Sequence, residues 1–373
     1  MILKRVAIRN YKSIKNIDLE MQGLTCLVGP NNSGKSNLID AFAFLRDMSA
    51  SNLSAALEAR DPSRLCYYGA DPMESVAFEV DFATANQPHS RYSLNLDSDC
   101  RRVESERLIV FREGKEESLF SAVTQNNAWQ VRFGQSQSSS ARGEMVSPLF
   151  EVWTPPYPEA KQVRRLLSSF QFYRFVPAYL KRPGQAQRVD RLDREGGNFS
   201  AYVHTIQSSH KKSFARIEGE LRKNLPDIEE LGTHLTQSGT TEVMIKERWF
   251  DRTAYGFQLS DGLVGFLAHL VALYGPDSPA LVVFEEPENY IHPRLMERLV
   301  DMLKGAAKTK QVIISTHSVP LINQLSLKDL LIIERGPDGA TNARRIGARK
   351  DLEEALKEWA LGEAYVSGAL DAA

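Results

Sequence analysis

Cysteine is scarce in this chain of 373 residues: there are three, Cys26, Cys66 and Cys100. They are odd in number, far apart in sequence and lack CxxC spacing, which argues against a disulfide scaffold and against a zinc site. Charge of one sign is also missing, since 46 Lys plus Arg face 47 Asp plus Glu and leave a net charge of −1. No global polycation or acidic tail is present to dictate a partner. Long hydrophobic runs are absent. The best, around Leu263 to Tyr274, is interrupted by His269 and falls short of the ~20 residues of a membrane span. The N-terminus, Met1 to Arg9, meets charges too early for the ~7–15-residue apolar stretch of a signal peptide. A soluble cytoplasmic protein with no membrane partner is therefore expected. The charged fraction of 25 % and hydrophobic fraction of 42 % are globular averages, and exclude disorder, collagen and a coiled-coil rod. A chain this long exceeds the ~250–300 residues at which single cores stop growing, so a head plus an insertion is expected.

Val6 and Ile8 alternate with Arg9 and Lys12, and Leu24 to Val28 form a short apolar run ending at Gly29-Pro30; both read as strands. Beyond a turn, Leu38, Ala41, Phe42 and Leu45 recur at helical spacing over 36–48, completing a strand–loop–helix unit. Alternating stretches around Val76–Val80, Arg91–Leu94 and Arg107–Phe111 predict antiparallel strands. The polar segment Gly134 to Ser140 is expected to be an exposed loop. Phe199, Val203, Ile206, His210, Phe214, Ile217, Leu221 and Leu225 predict one long amphipathic helix ending before Pro226. Leu281–Phe284, Arg294–Leu303 and Val312–Ser315 then alternate strand, helix, strand, which predicts a parallel sheet. Leu352, Ala355, Leu356 and Trp359 read as the core face of a last helix.

Four segments carry chemistry. Gly29-Pro30-Asn31-Asn32-Ser33-Gly34-Lys35-Ser36 satisfies GxxxxGK[ST] between a strand and a helix. Its backbone N–H groups and the helix N-terminus suit phosphate oxygens, Lys35 the β- and γ-phosphates, and the Ser36 hydroxyl magnesium. The run Leu281 to Phe284 delivers Glu285-Glu286 to a strand end, where parallel sheets place ligands. Glu285 can orient Mg2+ or its water, and Glu286 can polarise an attacking water. His317 ends the next buried strand, in reach of the same sheet edge. Ser260-Asp261-Gly262 opens a helix, which is an ordinary cap and also an anion site.

These four motifs, in this order, resemble the ABC-type ATPases of the SMC, RecF and OLD group. In that resemblance Gly29 to Ser36 is the Walker A motif, Glu285-Glu286 ends Walker B, Leu259 to Gly262 is the signature and His317 the switch histidine. Asn37 to Ala41, Glu285 to Glu288, Asp193 to Phe199 and Leu361 to Glu363 bring it closest to the OLD-like ATPases of the AAA family without a TOPRIM domain. The implied fold is an α/β P-loop head with a mixed or parallel central sheet, an antiparallel β subdomain and a helical insertion. The head would be 1–150 with 240–373, and the insertion 151–239. ATP and Mg2+ would sit between two heads of a homodimer, with Ser260 and Gly262 of one reaching the nucleotide held by the other. Glu285 stands where transporters carry aspartate, and the glutamine-loop residue has Gln87 and Gln171 as candidates.

A TOPRIM nuclease is not assigned: Asp97-Ser98-Asp99 is the one DxD and lies in a turn-like setting ahead of the signature. The basic run Lys181, Arg182, Arg188, Arg191 and Arg194 is diluted by acids and is taken as a solvated loop, leaving DNA contact open. The leading expectation is an ATPase whose head dimerisation gates a separate effector, a nuclease or toxin, in phage defence or DNA maintenance. The alternatives are a slow-turnover scaffold binding DNA or a partner, and the ATP-binding subunit of a transporter, against which the insertion argues. No NKxD motif supports GTP.

Overall fold

The computed structural model describes residues 2–67, 69, 74–84, 87–125, 128–134, 136–140, 158–277, 279–346 and 360–368. The expected helix carrying Leu352 to Trp359 lies outside them. The chain forms two compact units, 1–170 with 331–345, and 171–330 with 346–373.

The first unit opens with β1 (Ile2–Tyr11), β2 (Ile14–Glu20), β3 (Leu24–Val28), α1 (Lys35–Ala50) and α2 (Leu53–Glu58). It continues through β4 (Val76–Thr84), β5 (Gln87–Leu96), β6 (Val103–Arg112), β7 (Lys115–Gln125), β8 (Ala128–Phe133), β9 (Ser136–Ser140) and α3 (Pro158–Ser168). One antiparallel sheet runs β2-β1-β4-β5-β6-β7-β8-β9. The alternating stretches are strands, as expected, but so are five of the seven residues Gly134–Ser140 read as a loop. Ser136–Ser140 pairs with Phe133–Trp129 as the sheet's last strand. The tight reversal and the backbone ladder make this strand, and an edge position needs no apolar side chain. Asp97 accepts from the N–H groups of Arg101 (2.7 Å) and Arg102 (3.1 Å), so the DxD segment is the turn between β5 and β6.

Helix α1 is tied to this sheet by aromatic and charged contacts. Tyr11, Phe44 and Phe78 form a buried cluster with centroids 5.4–5.9 Å apart. The Tyr11 hydroxyl donates to Asp40 at 2.6 Å, and Arg60 donates to both Asp40 (2.9 Å) and Asp47 (2.8 Å). Burial would raise the Asp40 carboxyl, but Arg60, Lys12 and Tyr11 outweigh it and hold it below its ordinary value.

The second unit contains β10 (Gln171–Tyr173), α4 (Pro177–Leu180), β11 (Gly184–Gln185), α5 (Phe199–Ser209), α6 (Lys211–Asn224), β12 (Ile228–Leu235), β13 (Thr240–Glu247) and β14 (Thr253–Tyr255). It goes on to α7 (Asp261–Tyr274), β15 (Leu281–Glu285), α8 (Pro293–Ala306), β16 (Gln311–Thr316) and α9 (Val319–Ile322). The chain then returns to the first unit with the antiparallel pair β17 (Leu330–Arg335) and β18 (Thr341–Arg345), β17 lying beside β3. α10 (Leu361–Val366) closes the second unit, Gly362 N–H donating to Asn323 at 2.6 Å.

Strands β10, β15 and β16 are parallel, with Leu281 opposite Gln311 and Glu285 opposite Ser315, so the expected parallel pairing is present. The single long helix is not. It breaks at His210 (φ −128°, ψ 55°) into α5 and α6. Ser208, Ser209 and His210 are weak helix formers, and the bend lets α5 pack on β12 and β13 while α6 packs on α7. The 3.6-residue period carries across the bend because both pieces bury their apolar face.

His269 on α7 lies between Phe175 and Phe284, with centroids 5.1 and 5.0 Å away, and its Nδ1 donates to the Gly265 carbonyl at 2.7 Å. Burial lowers its pKa from 6.5 to about 4. Above pH 6.5 folded and unfolded chains both hold it neutral; below, the unfolded chain takes a proton that the folded one refuses. The site therefore withdraws roughly 3 kcal/mol of stability as the pH falls from 6.5 to about 4. Urea unfolding across that range should show wild type losing roughly 3 kcal/mol relative to His269→Phe toward acid; parallel profiles would contradict this role.

Candidate nucleotide site

The phosphate loop lies in the first unit. Strand β3 is buried along its whole length and delivers Gly29, where a Cβ would sit 2.0 Å from the Ile333 carbonyl of β17. Only glycine allows that approach. Pro30, Asn31 and Asn32 are exposed, and Asn32 (φ 64°) and Gly34 (φ 110°) both have left-handed backbone. A Cβ on Gly34 would meet the Thr341 hydroxyl at 2.0 Å. Gly34 precedes α1 and caps it with no side chain, and no acid stands in the first turn, so this helix start is open to an anion.

A chain of hydroxyls holds the loop in place. The Asn37 amide donates to Ser13 Oγ (2.6 Å), Ser13 to Thr341 Oγ1 (2.7 Å), and Thr341 to the Ser33 carbonyl (3.0 Å). The directions follow because a carbonyl only accepts, which makes Thr341 the donor there and Ser13 the donor to Thr341. Arg335 adds a bond to the Asn32 carbonyl at 2.9 Å. Lys35 is buried along the loop with its ammonium on the carbonyls of Gly29 (2.8 Å) and Pro30 (3.0 Å). Ser33 Oγ is buried without a partner among the described residues, and Ser36 is exposed at the helix start. An inward ammonium, an orphan hydroxyl and uncapped N–H groups together form a donor set that fits phosphate oxygens.

The carboxylates, His317 and Ser260 lie in the second unit. β15 is buried up to Glu285, whose side chain is 9 % exposed and ion-paired with Arg194. Arg194, like Arg188, is exposed in an irregular loop, as expected, and is nonetheless ion-paired; Lys181 is more covered and pairs with Asp261, and Arg182 stacks on Tyr179 with 4.4 Å to the ring centre. The loop stays close because Gly196 (φ 85°) packs where a Cβ would collide with Leu180 at 2.2 Å, and Arg174 N–H reaches the Arg194 carbonyl at 2.8 Å.

Glu286 has left-handed backbone (φ 47°), a conformation that costs a non-glycine residue about 1–3 kcal/mol. Its N–H continues the ladder to the Ser315 carbonyl (2.9 Å), and its carboxylate stands 3.6 Å from His317 Nε2. Glu288, two residues on, is mostly buried: burial pushes its carboxyl up to about 7 against a hydrogen bond from Thr316, and Glu286 adds to the push. Glu288 Oε2 has no partner among the described residues. Ser260 caps α7, accepting from Leu263 N–H at 3.2 Å, and a Cβ on Gly262 would meet the Tyr290 carbonyl at 2.9 Å. The signature segment thus abuts the turn that follows the paired glutamates. Gln171 is bonded to Asp277 (3.3 Å) and Tyr173 (2.8 Å), and the Gln87 side chain lies outside the described set. No three His, Cys, Asp or Glu among the described residues cluster to hold a metal.

Ser13, Thr341, Arg194 and Glu288 were not legible as site residues. Thr341 carries no motif and is separated from Ser13 by 328 positions. Glu288 stood inside a quoted motif, but its burial depends on the fold.

Residues 24–323 match the family model described as "AAA domain, putative AbiEii toxin, Type IV TA system". The chain belongs to that AAA-domain family. It sits among the ABC-type ATPases related to SMC, RecF and OLD proteins, which supports nucleotide binding and hydrolysis at the level of the family. It is similar to an ATP/GTP phosphatase of Helicobacter pylori, 21% identical over 87% of this chain and 87% of that protein. The Old nuclease of Escherichia phage P2 is 20% identical over 95% of this chain, which spans 62% of the nuclease. A RecF of Bacteroides fragilis is 48% identical, over 12% of each chain. Among solved structures, an Smc head bound to the C-terminal winged-helix domain of ScpA aligns with 95% of this chain and 100% of its own, at 13% identity and a TM-score of 0.59. That likeness shows the α/β P-loop head fold. Among the described residues no helix is long and apolar enough to cross a membrane.

Thr341 gives a test that is independent of ligand. Thr341→Val keeps the shape but strands the Ser33 carbonyl and the Ser13 hydroxyl, and should lower stability by about 1–3 kcal/mol. Thr341→Ser keeps the hydroxyl and should recover most of the loss in urea titrations; equal losses would show that the hydroxyl chain does not hold the loop.

Proposed function

We propose that this chain is an ATP-hydrolysing head of the OLD-like subtype whose ATP-dependent homodimerisation gates a separate effector protein. The observation that carries the reading is the phosphate loop of Gly29–Ser36, with its Cβ-excluding glycines and inward Lys35, in a chain that also carries the Glu286–His317 pair. Gly29, Pro30, Asn31, Asn32, Ser33 and Gly34 wrap the phosphates through backbone N–H groups, and Lys35 neutralises the β- and γ-oxygens. Asn37 acts from behind, through Ser13. Ser36 and Glu285 would hold Mg2+, which would supply charge neutralisation to the phosphates when bound. Glu286 polarises the attacking water and His317 senses the γ-phosphate. Ser260 and Gly262 complete the site of the partner copy. The head comprises 1–150 and 240–373, with 151–239 as insertion.

The effector is a toxin or nuclease, in phage defence or DNA maintenance in the cytoplasm. Support comes from the wording of the family description and from the breadth of the likeness to the phage P2 Old nuclease. One observation favours the second reading, a slow-turnover scaffold that binds DNA or a partner: the Glu285 carboxylate is engaged by Arg194, so Mg2+ must compete for it.

The variants separate binding from chemistry. Lys35→Ala should abolish ATP binding measured by calorimetry. Glu286→Gln should bind ATP as wild type does and lose phosphate release by about 100-fold or more, since only the group that polarises water is removed. Undiminished turnover in Glu286→Gln would remove Glu286 from the mechanism.

A further inference from the structure

Two cysteines that sequence separates meet in the first unit. Cys66 Sγ lies 2.6 Å from Cys100 Sγ, far inside ordinary sulfur contact, and 2.9 Å from the Ser98 carbonyl. Cys100 sits with φ 56° at the end of the β5–β6 turn, which Asp97 holds through the Cys100 N–H at 2.9 Å. Cys66 lies on a short segment laid against the end of β1, where Tyr67 N–H reaches Asn10 O (2.8 Å) and Lys12 N–H reaches Leu65 O (2.6 Å). Both sulfurs are held by backbone pairing, so little motion separates them from a bond. Cys26 is buried in β3.

We propose that Cys66 and Cys100 are a modification site, a dithiol that a peroxide converts into one intramolecular disulfide. The Cys66 thiol, the more exposed of the two, loses its proton and attacks one peroxide oxygen. The O–O bond breaks, hydroxide leaves and takes up that proton as water, and Cys66 becomes a sulfenic acid. Cys100 sulfur then attacks Cys66 sulfur, and the hydroxyl departs with the Cys100 proton as a second water. Two thiols have lost two electrons to one peroxide. Burial holds both thiols above their ordinary value, which slows the first attack by keeping the thiolate scarce. The bond would pin the β5–β6 turn to the segment beside Tyr11, whose hydroxyl holds Asp40 of α1.

The test treats the full-length folded chain with hydrogen peroxide, at a dose that oxidises the same chain unfolded in urea. Remaining thiols are then blocked with N-ethylmaleimide after unfolding, and mass and peptides are read without reductant. The expected product is about 2 Da lighter before labelling, takes a single maleimide at Cys26, yields a Cys66–Cys100 linked peptide, and reverts with dithiothreitol. Cys66→Ser and Cys100→Ser should each lose the linked peptide and expose the other cysteine to maleimide. Three maleimides on the treated wild type, a link through Cys26, or chains joined to one another would each overturn the proposal.

Discussion

The Thr341 hydroxyl closes the phosphate loop. It donates to the Ser33 carbonyl, accepts from Ser13, and stands where any side chain at Gly34 would have to go. Ser13 in turn accepts from Asn37 on α1, so one relay joins the β1–β2 turn, the loop, its helix and β18. A buried relay of this kind is cooperative: each donor polarises the next, and removing one member leaves two groups unsatisfied in a dry place. With side chains absent at Gly29 and Gly34, neighbouring groups close on the loop from behind and this relay holds it there.

The second unit prepares the complementary chemistry by a different device. Buried parallel strands end abruptly, and the left-handed backbone at Glu286 turns the chain where β15 stops, beside His317 at the end of β16. Arg194 and Thr316 occupy the two flanking carboxylates, Glu285 and Glu288. Glu286 is left between them with an imidazole as its neighbour. Three acids within four residues are thereby given different environments, one paired with a guanidinium, one beside an imidazole and one under a hydroxyl.

Much of this was legible in sequence because it is local. The apolar run into Gly29, the spacing of Gly34, Lys35 and Ser36, and the strand into Glu285-Glu286 each announce themselves within ten residues. What was not legible is either long-range or decided by backbone. Thr341 carries no motif, and Arg194, though inside the Asp193 to Phe199 motif, gives no sign there that its partner is Glu285; both find their partners only when the chain has folded. Ser136–Ser140 has no strand-forming side-chain pattern, and pairs because the hairpin offers its backbone a ladder. The break at His210 leaves the helical period intact on both sides and so leaves no mark in it. Cys66 and Cys100 looked unrelated by spacing, yet their sulfurs touch.

The central claim is that a working site takes its phosphate loop from one copy and Ser260 from another. Mixing Lys35→Ala chains with Ser260→Arg chains tests it directly, because each variant alone should be inactive while the mixed dimer retains one intact composite site. ATP turnover in an equal mixture should recover to about a quarter of wild type, from half the dimers each with half their sites. A mixture that stays as inactive as its two components, with mixed dimers verified by differential tagging, would contradict assembly in trans and place Ser260 in the site of its own chain.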